Sequence, residues 1–243
     1  MGTQEEIRSY WDADAATYDD SAQHRPRSPL VRAAWAAALA RLLPPAPAAV
    51  LDCGAGTGFL SLLAARLGHR VTALDLSEQM LERLRQAAVT EGLDVTVVVG
   101  SADAPPDGFD AVIERHLLWT LPDPAAALAA WRAAAPSGRL VLFESLWGDV
   151  DSVERLRGRA RTTIARLRRE PPHHHAEYAP ALRAALPLGR GTPPARLCEM
   201  AVDAGWREPR VERLRDVEWA ERSVLPLPER VVGVTPRVAV TGT

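Results

Sequence analysis

The chain has 243 residues, with 29 basic and 31 acidic side chains and a formal net charge of -2 at pH 7. This length predicts one large domain whose core needs no disulfide or metal, and the balanced charge disfavours binding to nucleic acid or to an anionic membrane. The sequence contains no lysine, which excludes Schiff-base lysine chemistry and phosphate binding by a P-loop lysine.

Cysteine content and hydropathy indicate the compartment. The two cysteines, Cys53 and Cys198, are far apart in the sequence, which is typical of free thiols in a reducing cytosol. The longest apolar stretch, residues 30–43, is interrupted by Arg32 and Arg41, and the first residues show no basic segment followed by an apolar one. We therefore expect a cytoplasmic protein that neither spans nor binds a membrane.

The first half of the chain has the pattern of an α/β protein. Apolar residues in 30–43 recur at three- and four-residue spacing and predict an amphipathic helix that ends at Pro44. From residue 49 onward, short apolar runs alternate with helical stretches, as expected for a parallel sheet covered by helices. The predicted strands are 49–53, 70–74, 95–99, 110–114 and 140–144. The predicted helices between and after them are 60–67, 78–91, 123–135 and 194–204.

The C-terminal part departs from this alternation. Residues 149–191 are longer than a simple crossover and contain helix-like stretches, so we expect a helical lid inserted after the fifth strand. Two terminal strands, paired antiparallel, are predicted at 211–219 and 231–240. The expected division of the chain is N-terminal cap helices in 1–45, a sheet core in 46–148, the lid in 149–191, and a helix with two terminal strands in 192–243.

A glycine-rich turn follows the first predicted strand. Gly54, Gly56 and Gly58 fall within five positions, which lets the backbone turn tightly and approach a ligand closely. In the dinucleotide-binding fingerprint a third glycine follows the second by three residues, but here that position is Phe59. The turn therefore favours a nucleoside without a pyrophosphate, and a purely structural turn is the alternative.

Polar residues also follow the second and third predicted strands. Asp75 ends the second strand, where a carboxylate can accept hydrogen bonds from both ribose hydroxyls. Residues 100–103 form a short polar turn after the third strand, and Asp103 can bond the edge of an adenine. An ordinary aspartate turn is the alternative for Asp103 alone. Three such elements on successive strand ends favour an adenosine ligand.

These motifs resemble those of the class I S-adenosylmethionine-dependent methyltransferases. Residues 51–58 (LDCGAGTG) resemble the first motif of that family, 73–77 (ALDLS) its ribose motif, and 100–103 (GSAD) its adenine motif. Residues 114–119 (ERHLLW) are similar to the fourth-strand region of the small-molecule branch, which is common in actinobacterial secondary metabolism. Residues 10–19 resemble the N-terminal cap of that branch, in which a tyrosine closes over the methionine part of the cofactor.

The resemblance implies a fold, a cofactor and a set of cofactor-binding residues. The fold is a Rossmann-like α/β fold with a seven-stranded, mostly parallel sheet and helices on both faces. The cofactor is S-adenosyl-L-methionine, the product is S-adenosyl-L-homocysteine, and no metal takes part. The implied cofactor-binding residues are Tyr10, Tyr18, Gly54, Ala55, Gly56, Asp75, Leu76, Met80, Ser101, Ala102, Asp103 and Glu114.

Aromatic residues are concentrated where a substrate would bind. Ligands of open α/β sheets lie beyond the carboxyl ends of the strands, and rings there can stack on a flat substrate or attract a cation. The expected substrate-binding residues are Trp11, Trp119, Trp147, His173, His175 and Tyr178. Each tryptophan taken singly could instead fill the core.

Two histidines are candidate catalytic bases. His116 follows the fourth strand beside Glu114, and His24 lies in the N-terminal cap; a buried, hydrogen-bonded ring is the alternative for His116. A metal site at residues 173–175 is disfavoured, because three consecutive side chains do not converge on one ion. The arginines of 155–169 could form a phosphate clamp, but we favour a solvated helix face.

The sequence therefore predicts a methyltransferase acting on a carbon, nitrogen or oxygen atom of a small aromatic or indole-type natural product. An NAD-dependent oxidoreductase is the enzymatic alternative, disfavoured by Phe59 and by the absence of lysine. A non-catalytic nucleoside-binding protein is the other alternative. The expected partner is a small molecule, and the protein is expected to be a monomer or a homodimer.

Overall fold

The fold is built on a seven-stranded sheet with strand order β3-β2-β1-β4-β5-β7-β6. It is seen in a computed structural model that describes residues 2–147, 152–167, 174, 176 and 178–243. The strands are β1 Ala49–Cys53, β2 Arg70–Asp75, β3 Val95–Val99, β4 Ala111–Arg115, β5 Arg139–Ser145, β6 Arg210–Arg213 and β7 Arg237–Gly242. β1 to β5 pair in parallel, whereas β7 runs antiparallel to both β5 and β6.

Helices surround the sheet. Those in the described parts of the chain are α1 Thr3–Asp14, α2 Pro29–Leu42, α3 Phe59–Arg66, α4 Glu78–Glu91, α5 Pro124–Ala134, α6 Ser152–Leu167, α7 Pro180–Ala185, α8 Pro194–Asp203, α9 Arg215–Ser223 and α10 Leu227–Val232. None of them combines the length and the apolar composition that a membrane span requires.

The five parallel strands and their connecting helices lie where the sequence predicts them, to within one residue at each end. Local signals fix several of these ends. Ser77 accepts a hydrogen bond from the Met80 amide and so caps α4, and Asp123 caps α5 through the Ala126 amide. Gly92, in the left-handed conformation, ends α4.

The prediction of two long terminal strands is wrong in part. The predicted strand 211–219 contains the end of β6 and then the start of α9, and 231–240 contains the end of α10 before β7. Leu214, Val217 and Ala220 are fully buried and recur every third residue. This spacing is typical of a helix, whereas a strand would bury every second residue. The antiparallel pairing of the two terminal strands is confirmed, with Arg210 opposite Thr241.

Alternate residues of the central strands face two separate apolar cores. On one face, Phe143 packs with Trp35 of α2 and Phe59 of α3. On the other face, Leu142 packs with Trp131 of α5 and Trp206. The indole N–H groups of Trp131 and Trp206 donate to the carbonyls of Ala102 and Leu128 at 2.7 and 3.1 Å, so these buried polar groups are satisfied.

The N-terminal helix and residues 178–186 meet above the carboxyl ends of the strands. Ile7 of α1 packs against Tyr178 and against Leu182 of α7, and Leu76, just after β2, borders the same cluster. Part of the predicted lid, namely 149–151, 168–173, 175 and 177, lies outside the described residues. The proposed division of the chain into cap, core, lid and terminal segments stays a prediction.

Candidate active site

A cavity of about 350 Å³ opens at the carboxyl ends of β1, β2, β3 and β4. The predicted site residues that line it are Trp11, Tyr18, Gly54, Gly56, Asp75, Leu76, Met80, Ser101, Ala102, Asp103 and His116. The predicted residues that are described but do not line it are Tyr10, His24, Ala55, Glu114, Trp119, Trp147 and Tyr178. His173 and His175 lie outside the described residues.

The glycines of the glycine-rich turn have different surroundings: two pack against leucine side chains, and one faces the cavity. Gly54, Gly56 and Gly58 all have positive φ angles, of +64°, +55° and +88°. A Cβ atom on Gly54 would lie 2.7 Å from the Leu117 Cδ1 atom, and one on Gly58 would collide with Leu84. A Cβ atom on Gly56 would meet only Tyr18, at 3.9 Å. Gly56 therefore faces open space, where the backbone can approach a ligand.

Asp75 is held in place by backbone amides on both sides. Its Oδ2 atom accepts a hydrogen bond from the Gly56 amide and its Oδ1 atom one from the Ser77 amide, both at 2.8 Å. Burial raises the pKa of this carboxyl, and these amide bonds act in the opposite direction. Each carboxylate oxygen can accept more than one hydrogen bond, so Asp75 keeps acceptor capacity toward the cavity.

Two further carboxyl groups are buried beneath the turn. Asp52 accepts a hydrogen bond from the Ser61 hydroxyl at 2.5 Å, and burial raises its pKa to about 7. Glu114 accepts one from the Leu117 amide at 2.8 Å, and burial raises its pKa to about 8. Glu114 thus fixes the backbone after β4 from behind the cavity wall.

His116 is the titratable ring that reaches the cavity from β4. It adopts φ +62°, an unusual conformation for a residue other than glycine, and such strain concentrates at functional sites. Its Nδ1 atom lies 3.2 Å from the Glu144 Oε2 atom and its Nε2 atom lies 3.2 Å from the Ser145 hydroxyl. Burial, together with the charges of Arg237 and Arg115, holds its pKa well below the usual value, so the ring is neutral at pH 7.

Glu144 and Ser145, at the end of β5, are themselves fixed from the far side. Glu144 is buried and also accepts a hydrogen bond from Thr192 at 3.2 Å. Burial raises the pKa of Glu144 well above the usual value. Arg237 donates to the Ser145 hydroxyl and, at 3.1 Å, to Glu221. The His116 ring is therefore oriented by a network that reaches β7 and α9.

His24 lies behind Tyr18 instead of lining the cavity. The two rings stack with centroids 3.8 Å apart, and the His24 Nδ1 atom is 2.8 Å from the Tyr18 carbonyl. Arg115 donates to the His24 carbonyl at 2.8 Å and lies over the Phe59 ring. Burial raises the pKa of Tyr18 to about 12, so its hydroxyl remains protonated.

The predicted aromatic wall is a packed cluster beside the cavity. Tyr178 is buried, with ring centroids 4.3 Å from Tyr10 and 5.4 Å from Trp119, and Trp119 contacts Trp147 at 5.5 Å. Of the predicted substrate-binding residues among those described, only Trp11 lines the cavity itself. The cluster supports α1 and the turn after β4.

Sequence reasoning missed the contribution of α1 and of the turn that leads to α5. The cavity is also lined by Thr3, Gln4, Ile7, Arg115, Leu117, Thr120, Leu121, Pro122, Asp123 and Ala127. Gln4 donates to the Ser101 hydroxyl at 2.6 Å, across the mouth of the cavity. The sequence does not distinguish His174 from its histidine neighbours, yet its Nδ1 atom lies 2.7 Å from Asp14 and its ring lies beside Trp11. No pattern in the sequence distinguishes these residues.

The described residues contain no group of three or more histidine, cysteine, aspartate or glutamate side chains arranged to hold a metal ion.

Comparison with known proteins gives consistent likenesses. A family profile described as a methyltransferase domain matches residues 51–142. The ubiquinone biosynthesis O-methyltransferase of Xanthomonas axonopodis pv. citri is 32% identical over 179 residues, which cover 70% of this chain and 69% of that protein. The enzyme of that name from Idiomarina loihiensis is 36% identical over 107 residues, covering 42% of this chain and 44% of that protein.

Solved structures confirm the predicted fold. Magnesium protoporphyrin IX methyltransferase from Synechocystis PCC 6803, with bound S-adenosylmethionine, has a TM-score of 0.59 at 16% identity, covering 100% of this chain and 97% of that chain. A second structure has a TM-score of 0.54 at 25% identity, and its description concerns the conversion of a disulfide bond into a thioacetal group during echinomycin biosynthesis. It covers 94% of this chain and 89% of that chain.

Proposed function

This chain belongs to the class I S-adenosylmethionine-dependent methyltransferases, and we propose that it methylates a hydroxyl oxygen of a small, flat aromatic molecule. The observation that carries the proposal is that one continuous cavity runs from Gly56 and Asp75 to Trp11 and His116. The relatives named as ubiquinone biosynthesis O-methyltransferases support oxygen as the acceptor atom.

The residues around the glycine-rich turn fit the nucleoside part of the cofactor. Gly56 leaves open space above its backbone, and Asp75 beside it can accept hydrogen bonds from ribose hydroxyls. Ser101 and Asp103 would bond the base, with Ala102 and Met80 offering apolar contact. When bound, S-adenosylmethionine supplies an electrophilic methyl group on a positively charged sulfur.

The electrostatics of the cavity suit a positively charged cofactor. Of the charged residues in the described part of the chain, Asp75, Asp103 and Asp123 line it, against one guanidinium, that of Arg115. Arg115 donates to the carbonyls of Gln23 and His24 and lies over the Phe59 ring, so these groups already compensate part of its charge. A cleft with an excess of carboxylates attracts a cation, which favours the cofactor over its neutral-sulfur product.

The acceptor would bind between Trp11 and the turn after β4. Trp11 lines the cavity and would stack on a flat molecule, and Leu117 and Leu121 would supply apolar contact. Exclusion of water and alignment of the two reactants account for most of the expected acceleration, an effect of up to about 7 to 11 kcal/mol. The α1 helix and its aromatic supports provide that exclusion.

We propose that His116 accepts the proton of the hydroxyl group at its Nε2 atom, where that hydroxyl would replace the Ser145 hydroxyl, which lies 3.2 Å away. Its ring is neutral at pH 7 and borders the cavity, as a general base requires. Glu144, 3.2 Å from the Nδ1 atom, would fix the orientation of the ring. His24 would act indirectly, by holding the Tyr18 ring at 3.8 Å.

A natural product of secondary metabolism is the second candidate for the acceptor. It is supported by the 25% identical structure whose description concerns echinomycin biosynthesis and by the resemblance of residues 114–119. For both candidate acceptors, we expect a small molecule as the partner and a cytoplasmic location for the enzyme.

The experiment is a methyl-transfer assay with a panel of paired aromatic compounds. Each phenol, catechol or hydroxyindole is matched with its amino and thiol analogue, and deuterated methyl incorporation from the cofactor is located by mass spectrometry. We expect products that carry the label on oxygen. Labelling confined to nitrogen, sulfur or carbon would exclude the proposed acceptor atom, and binding of NADH in place of S-adenosylhomocysteine would contradict the cofactor.

A further inference from the structure

A second cavity, of about 400 Å³, lies beside α9 and α10 at the β6 end of the sheet. Among the residues that the structure describes, it shares no lining residue with the cavity that contains Gly56 and Asp75, which we call the cofactor cavity. One wall is α6, which Arg161 fastens to the carbonyls of Gly233 and Val234 at 3.4 Å. The cavity is therefore a separate pocket, formed between α6, α9 and α10.

Positive charge is concentrated in this cavity, although the whole chain is slightly acidic. Among the described residues, four arginines line it, namely Arg157, Arg213, Arg215 and Arg222, against one carboxylate, that of Glu218. Arg157 comes from the arginine-rich stretch for which a phosphate clamp was the less favoured interpretation of the sequence. The other three arginines come from β6 and α9, more than 50 residues later in the sequence, and the fold brings them next to Arg157.

The existing partners neutralise only part of that charge. Arg213 is paired with Glu218 through contacts of 2.9 and 3.1 Å. Arg222 donates to the carbonyl of Arg230, an uncharged group, at 2.7 Å. Arg157 lies 4.0 Å from Glu154, a carboxylate that already pairs with Arg161. The guanidinium group of Arg215 forms no hydrogen bond or ion pair with any described residue.

An exposed apolar surface adjoins the arginines. Trp219 of α9 lines the cavity and is 63% exposed, whereas tryptophan side chains are usually largely buried. Val231 of α10, at the same cavity, is 80% exposed. An indole face next to unneutralised guanidinium groups suits a ligand that is both flat and anionic.

We propose that this cavity is a second binding site, for a small organic anion that joins a carboxylate, sulfonate or phosphate-ester group to a flat apolar ring. Arg157, Arg215 and Arg222 bind the anionic group, and Trp219 stacks on the ring. Guanidinium groups provide paired N–H donors that match the oxygens of such anions. The two cavities have no described lining residue in common, so binding here does not require a bound cofactor.

The experiment is a calorimetric titration with naphthalene-2-sulfonate as the probe. The protein is first saturated with S-adenosylhomocysteine, so that the cofactor cavity is filled, and no turnover is needed. Naphthalene-2-sulfonamide, which has the same shape without the charge, and inorganic sulfate, which has the charge without the ring, are titrated in parallel. We expect the sulfonate to bind at least about tenfold more tightly than either, and to weaken as salt screens the arginines.

Variants locate the site. Arg157→Gln and Arg215→Gln should each weaken sulfonate binding roughly tenfold, the effect of one lost charge-assisted hydrogen bond, and Trp219→Ala should weaken it as well. Arg196→Gln is the matched control, because Arg196 forms a surface pair with Glu199 on α8. Equal affinity for sulfonate and sulfonamide, or wild-type affinity in both cavity arginine variants, would overturn the proposal.

Discussion

At the scale of single residues, Gly54 and Gly56 have similar backbone angles but different surroundings. A Cβ atom on Gly54 would meet Leu117 at 2.7 Å, whereas one on Gly56 would project into the cavity. Gly54→Ala should therefore disturb packing, and Gly56→Ala should chiefly obstruct the ligand. Both also carry the strain of a positive φ, about 1 kcal/mol or more.

Comparison of the two variants tests this distinction. We expect Gly54→Ala to lower the thermal midpoint more than Gly56→Ala, and Gly56→Ala to lose more affinity for S-adenosylhomocysteine. The measurements are differential scanning fluorimetry and calorimetric titration on the same preparations. Wild-type cofactor affinity in Gly56→Ala would mean that the turn is only structural.

His116 gives the expected pH dependence of the reaction. Its pKa is lowered by burial and by the charges of Arg237 and Arg115, and the neutral ring is the form that accepts a proton. The rate should therefore fall only when the pH drops through this lowered pKa, below about 6.5. Between pH 6.5 and 8, protonation of His116 should not limit the rate.

Two variants check the assignment of His116. His116→Asn should reduce kcat by about 10² to 10⁴ and abolish the acidic limb of the pH profile. Glu144→Gln should keep the limb but shift it, because the carboxyl group next to Nδ1 is replaced by an amide. An unchanged pH profile in His116→Asn would assign proton removal to another group or to solvent.

At the scale of elements, α1 forms a wall of the cavity without being part of the sheet. Thr3, Gln4, Ile7 and Trp11 line the cavity from this helix. Its attachments include the Gln4 to Ser101 bond at 2.6 Å, the Ser77 to Asp12 bond at 2.6 Å, and ring contacts with Tyr178. The helix thus depends on the aromatic cluster behind it.

Tyr178 tests this dependence. Tyr178→Ala removes a buried ring that contacts Tyr10 and Trp11, so amide hydrogen exchange in residues 3–14 should accelerate and turnover should fall. Tyr178→Phe is the control, since it keeps the ring and should retain protection of α1. Equal exchange rates in both variants would show that the cluster does not hold the helix.

The terminal elements show where local patterns mislead. The sequence of 211–219 alternates enough to suggest a strand, but Arg213 and Glu218 form an ion pair that spans the start of α9. Leu214, Val217 and Ala220 are buried at helical spacing, and α9 packs against α2. Tertiary burial of that stripe decides the helix. The partner helix is distant in the sequence, since Arg41 of α2 pairs with Asp216 of α9, 175 residues further along the chain.

At the scale of the whole molecule, the sequence predicts the loops at the strand ends that line the cavity, but it does not predict which aromatic residues form the cavity walls. Hydrophobic runs bounded by Gly54, Asp75 and Gly100 place three loops at one edge of a parallel sheet, and those loops do line the cavity. Trp119 and Tyr178 were expected to line it as well, yet they pack against each other at 5.4 Å. Which face an aromatic residue presents depends on how α1 and residues 178–186 dock, and that information is not local.

The measurement that most directly tests the account is calorimetric titration of S-adenosylhomocysteine into the wild type, Asp75→Ala and Trp119→Ala. Asp75 lines the cavity beside Gly56, so its loss should weaken binding by about 1.5 to 3 kcal/mol. Trp119 lies in the aromatic cluster outside the cavity lining, so its variant should bind within about threefold of the wild type. Equal affinity in Asp75→Ala and the wild type would contradict the assigned cofactor site.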